Sequence, residues 1–168
     1  MNEAIELILK HRTTGALLDT NLLLVYAVGK FDRSLLPAFH HTKQYATDFA
    51  LVERLVEYFP VIHTTPNVLT ELSNLGGKLN SSQFFSVLRT LVNVLQEHYC
   101  VSTAAANNAS FEKVGLTDAA IMTIASNDYL ILTADWPLYN MLRSRNIDAV
   151  NVNHLRQLDW LGYFTLTT

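Results

Sequence analysis

The sequence predicts an α/β fold of three layers, α/β/α, built on a central, mostly parallel sheet of about five strands. Short apolar runs of strand length, such as Ala16-Leu17-Leu18 and Tyr129-Leu130-Ile131-Leu132, alternate with longer segments whose apolar residues recur at helical spacing. These runs are apolar on both faces, as strands covered by helices on either side must be. A chain of 168 residues with 49% apolar side chains fills one core and is too short for two comfortable ones. The chain therefore reads as a single domain over 1–168, with an N-terminal helix in 1–14, an insertion at 30–47 and a tail at 153–168.

The elements follow in order. Residues 2–10 space their apolar side chains as a short amphipathic helix, and Arg12-Thr13-Thr14-Gly15 is a turn. Gly15 to Asp19 is the first strand, and a helix from Thr20 should end near Gly29. Lys30 to Thr47, with Pro37 and weak periodicity, reads as a long loop or irregular insertion beside the site. Helical spacing returns over Tyr45 to Tyr58 and stops at Pro60; Val61 to Thr64 is the second strand. Thr65 caps the next helix with Pro66 in its first position, and Gly76-Gly77 ends it. Ser81 to Glu97 reads as a long helix, Tyr99 to Thr103 as the third strand, and Ala104 to Lys113 as a small helix. A helix capped by Thr117 runs through Ala125, Tyr129 to Thr133 is the fourth strand, Trp136 to Arg145 a helix, and Ala149 to Val152 the fifth strand. The tail carries Trp160, Tyr163 and Phe164 and is expected to cover part of the core.

Composition narrows the function classes. A net charge of -3 with 16% charged residues excludes a basic nucleic-acid-binding tail and an acidic disordered one, although a local patch or a bound cation can reverse the sign where it matters. Cys100 is the only cysteine, so an internal disulfide and a cysteine-based zinc site are excluded and a reducing cytoplasm is expected. The N-terminus lacks the pattern of a signal peptide, and no apolar run approaches the roughly 20 residues needed to cross a bilayer.

Four acids recur in one context. Asp19 follows the first strand, Glu71 lies in the helix after the second, Asp118 opens a helix, and Asp135 follows the fourth strand. Parallel strands point their carboxyl ends to one edge of the sheet, so these acids can converge although they are scattered over more than a hundred residues. Clustered carboxylates repel unless some are protonated or a cation sits between them, and all-oxygen ligation suits Mg²⁺ or Mn²⁺. Each acid also has a plain reading. Asp118 and Asp135 suit helix N-termini, and a lone Glu71 would be an ordinary solvated helix residue. Asp19, set between apolar runs, is harder to dismiss. The pair His40-His41 has no partner cluster and reads as loop. Lys30, Arg33, Lys43 and Lys78 read as solvated surface before they read as a basic rim for phosphates.

The blocks Leu17-Leu18-Asp19-Thr20-Asn21, Thr65-Pro66-Asn67-Val68-Leu69-Thr70-Glu71-Leu72, Leu116-Thr117-Asp118-Ala119-Ala120 and Leu130-Ile131-Leu132-Thr133-Ala134-Asp135 resemble, in order and approximate spacing, the signature blocks of PIN-domain ribonucleases. The resemblance covers roughly residues 15–152. It implies that Asp19, Glu71, Asp118 and Asp135 form an acidic metal-binding set, that Asn21 and Thr133 support it, and that the activity is metal-dependent cleavage of RNA. Many bacterial members of that family are toxins neutralised by a partner protein, so the resemblance also implies a protein antitoxin or inhibitor, and a homodimer, as candidate partners. The N-terminal helix, the 30–47 insertion and the aromatic tail depart from the compact members. Two other readings compete. A haloacid-dehalogenase-like phosphatase also begins from an acid after its first strand, but wants a second aspartate where Asn21 stands. A catalytically silent PIN-like module that binds RNA or protein would carry four clustered acids at a cost in stability.

Overall fold

The computed structural model describes residues 2–156. Five strands form one all-parallel sheet in the order β3-β2-β1-β4-β5: β1 (Ala16–Leu18), β2 (Ile62–Thr64), β3 (Gln96–Glu97), β4 (Leu130–Thr133) and β5 (Ala149–Asn151). Around it lie α1 (Glu3–Lys10), α2 (Thr20–Asp32), α3 (Phe49–Tyr58), α4 (Pro66–Gly76), α5 (Ser82–Val92), α6 (Ser102–Ala106), α7 (Phe111–Ile124) and α8 (Trp136–Ser144). The α/β/α reading of the sequence therefore holds. Every residue of β1, β2, β4 and β5 is buried, as expected for parallel strands with both faces covered. α2 is the central helix: seven of its residues from Thr20 to Val28 are buried, and it packs against α3, α4 and α5.

Local chemistry explains most helix starts. Thr65 accepts a hydrogen bond from the Val68 amide (3.2 Å) with Pro66 in the first turn, as its spacing predicts. Asn2 does the same for α1 through the Ala4 amide (2.9 Å), and Ser81 for α5.

Four expectations need correction. The third strand is Gln96–Glu97, not Tyr99 to Thr103. It is a two-residue exposed edge strand whose pairing with β2 is extended by the His98 amide donating to the Thr64 carbonyl (2.8 Å), so it carries no apolar signature to read. The helix expected over Ser81 to Glu97 accordingly ends at Val92, and α6 takes over at Ser102. The segment 30–47 is not one long loop: α2 continues to Asp32, and two 3-10 turns, Arg33–Leu35 and Lys43–Asp48, follow, with α3 starting only at Phe49. Leu36 and Thr42 are buried there, and the Thr42 hydroxyl donates to the Leu36 carbonyl (2.8 Å). Finally, Thr117 is not a cap. The break in α7 lies at Gly115 (φ 76°, ψ −177°), which places Thr117 and Asp118 in the first turn of the second half of α7. The expected covering role of Trp160, Tyr163 and Phe164 falls outside the described residues.

One glycine is dictated by the fold. Gly15 enters β1 with φ +101°, and a Cβ there would lie 2.3 Å from the Val61 carbonyl oxygen and 2.9 Å from the His63 ring. Gly15→Ala is expected to cost about 2–5 kcal/mol, combining a left-handed backbone with a backbone clash. Urea unfolding checks this, and an unchanged midpoint would contradict it.

Candidate active site at the carboxyl edge of the sheet

In the strand order 3-2-1-4-5 the connections diverge between β1 and β4, and in open α/β sheets the crevice at that point is where ligands bind. Both strands deliver an acid there. Asp19 follows β1 and caps α2, accepting from the Leu22 amide (2.8 Å); Asp135 lies two residues beyond β4 and caps α8, accepting from the Leu138 amide (2.7 Å). Capping alone accounts for an acid at each place. It does not account for the burial of Asp19 or for what surrounds the pair.

Asp19 is 2% exposed. Its Oδ1 takes the Leu22 amide, while Oδ2 takes the Thr133 hydroxyl and the Ala134 amide (3.0 Å). The Thr133 oxygen in turn accepts from the Asp135 amide (2.9 Å), so one buried hydroxyl ties the first acid to the backbone of the last. Burial pushes the Asp19 carboxyl above the usual carboxylate range. The bonds from Thr133, Leu22 and Ala134 oppose that shift, and the charge of Asp135 adds to it.

Glu71, half-buried on α4, accepts the Thr20 hydroxyl on Oε2 (3.0 Å). Asp118, on the second half of α7, is the most informative group. Burial pushes its carboxyl up to about 7, and the negative charges of Asp19, Asp135 and Glu71 add to the shift. Asp118 thus feels acids carried by three other elements. Tyr45, in the 3-10 turn Lys43–Asp48, feels the same field: burial raises its phenol, and Asp19 and Asp135 raise it further. The segment around Tyr45 therefore does stand beside the acids. Like charges this near repel, and among the described residues no group of three or more His, Cys, Asp or Glu side chains is gathered closely enough to hold a metal ion.

The supporting residues differ from each other. Thr133 is buried and bonded to Asp19. Asn21 is half-buried in the first turn of α2, and among the described residues its side chain bonds to none of the four acids. Of the cations named for a rim, Lys30 pairs with Glu53 (3.1 Å), Arg33 lies over the Phe49 ring and Lys78 contacts His41, so three of the four are engaged in local packing. His40 and His41 pack edge to face, ring on ring.

Three participants escaped the sequence reading. Thr20 and Tyr45 carry no pattern that sets them apart from ordinary helix and loop residues. Asn151, level with Thr133 on the neighbouring strand, is fully buried; its Oδ1 accepts from the Asn153 amide (3.0 Å) and the Asn153 side chain (2.6 Å), while its Nδ2 has no partner among the described residues. A polar residue inside the apolar Ala149 to Val152 run was the available signal.

No helix of the described residues is long and apolar enough to cross a membrane. No family model, curated protein or solved structure matches this chain, so the likeness to PIN-domain ribonucleases rests on the blocks quoted above.

Proposed function

We propose that this chain is a divalent-metal-dependent endoribonuclease of PIN-like type, hydrolysing RNA phosphodiester bonds at the crevice between β1 and β4. The observation that carries this reading is the Asp118 carboxyl, held near neutrality by burial and by the charges of Asp19, Asp135 and Glu71. A protein gains nothing in stability from such a group. A cation relieves it, and the donor set is all oxygen, which fits Mg²⁺ or Mn²⁺. Such an ion would acidify a water and neutralise charge developing on phosphate oxygens.

The chain's own residues do the rest. Asp19, Asp118 and Asp135, not gathered closely enough to share an ion as they stand, would close on it to hold it, with Asp118 as the carboxylate. Thr133 fixes Asp19 in one orientation, as residues behind a metal ligand do. The Thr20 hydroxyl holds Glu71 through Oε2, and the Glu71 carboxylate would complete the coordination or orient the attacking water. Water attacks phosphorus and gives up a proton to solvent, the P–O bond to the leaving ribose oxygen of the RNA fragment breaks, and that oxygen takes up a proton from solvent.

The test is incubation with diverse RNAs in Mg²⁺ or Mn²⁺, with chelator and Asp135→Asn as controls. Asparagine caps a helix as well as aspartate does, so this variant should keep its stability within about 0.5 kcal/mol while losing cleavage about 10²-fold or more. RNA left equally intact by wild type and variant, with either ion, would overturn the reading.

A further inference from the structure

Beside the acids lies a second concavity, about 380 Å³ in volume, which shares Glu71 with the site and reaches Thr117, the neighbour of Asp118. One side is the polar face of α4, where Asn67, Thr70 and Asn74 stand in line with Glu71. Its rim is Tyr99 and Ser102 on one side and Leu116 on the other. Tyr99 is 77% exposed, unusual for an aromatic side chain with a large core available to it. Among the described residues, the side chains of Asn67, Thr70, Asn74, Tyr99, Ser102 and Thr117 make no hydrogen bond to protein. No Lys, Arg or His lines the pocket, and Glu71 is the charged residue in it.

We infer that this pocket is a nucleobase subsite, taking one unstacked base of a single-stranded RNA next to the bond to be cut. The chemistry selects that ligand. A pocket without a cation has no grip on a phosphate, whereas a flat exposed phenol offers a stacking face that every base can use. Amides and hydroxyls together present donors and acceptors to the edge of a base, as recognition of splayed-out single strands requires. Glu71 joins the subsite to the acids, so a base seated here places its own backbone at the crevice. The RNA source of the base rests on the ribonuclease reading; the affinity of the pocket for a base does not.

The experiment separates the two. Adenosine, cytidine, guanosine and uridine are titrated singly into ¹⁵N-labelled full-length protein in chelator, where no cleavage occurs. Saturable shifts are expected at the amides of Asn67, Asn74, Tyr99 and Ser102 for at least one nucleoside. Tyr99→Ala should weaken binding about tenfold or more, and Tyr99→Phe, which keeps the stacking face, should stay within about twofold. Asn67→Ala with Asn74→Ala should change the order of preference among the four bases. Shifts that do not saturate, or that map elsewhere, or a Tyr99→Ala protein that binds as wild type does, would overturn the subsite even if RNA is cleaved. Saturable, Tyr99-dependent binding in a protein that never cuts RNA would uphold the subsite and overturn the ribonuclease reading.

Discussion

Replacing Asp118 with Asn is expected to stabilise the metal-free protein while abolishing cleavage. The carboxyl stands at about 7 in the fold against 3.8 in the unfolded chain. A carboxyl with a raised folded pKa binds more protons folded than unfolded. Its favourable contribution is therefore complete below about pH 4, declines as pH rises through the interval up to about 7, and is lost above it. That interval corresponds to about 2–4 kcal/mol at pH 8 once partial solvent access is discounted. An amide of the same shape carries no such cost. In chelator, thermal unfolding of wild type and Asp118→Asn should come closest below about pH 4 and diverge by several degrees at pH 8, the variant melting higher. His63 titrates with the opposite sign, because burial holds it below 6.5, but it is common to both proteins and cancels in the difference. Mn²⁺ should raise the melting temperature of wild type at pH 8 and not that of the variant. A variant less stable than wild type at pH 8 in chelator would contradict the geometry of the four acids.

Asp19 should behave in the opposite way although its pKa is raised too. Its two oxygens satisfy the Leu22 amide, the Ala134 amide and the Thr133 hydroxyl, all inside the protein. Asp19→Asn places an NH₂ where Oδ2 accepted the Ala134 amide, setting donor against donor. Asp19→Ala removes the cap of α2 and leaves two buried amides unpaired. The expected costs are about 2–4 kcal/mol for Asn and about 3–5 kcal/mol for Ala, from the lost cap and the desolvated donors. Urea unfolding at pH 7 reads both. An Asp19→Asn protein as stable as wild type would mean that Oδ2 is not the acceptor described. Among the four acids, then, Asp118 is costly to stability and Asp19 structurally required, a division that activity assays alone would not reveal.

Much of this was legible beforehand where local chemistry decides. Thr65-Pro66 announces a helix start because a hydroxyl and a missing amide solve the same local problem. β1 and β4 are continuous apolar runs because helices cover both of their faces. The same rules failed at Gln96–Glu97, where an exposed edge strand pairs with β2 through its backbone, and at 30–47, where Leu36 and Thr42 anchor 3-10 turns without periodicity. Thr117 has the chemistry of a cap, yet the break two residues earlier at Gly115 places it inside the helix.

The sequence by itself determined the α/β layering and where along the chain each acid falls, because burial periodicity and strand ends are encoded within a few residues. Only the tertiary structure decided that β1 and β4 lie side by side, that Thr133 grips Asp19 across 114 positions of chain, that Thr20 holds Glu71, and that Asp118 stands near neutrality. Those facts depend on distances through space and on exclusion of water, and neither quantity is written in any local stretch of residues.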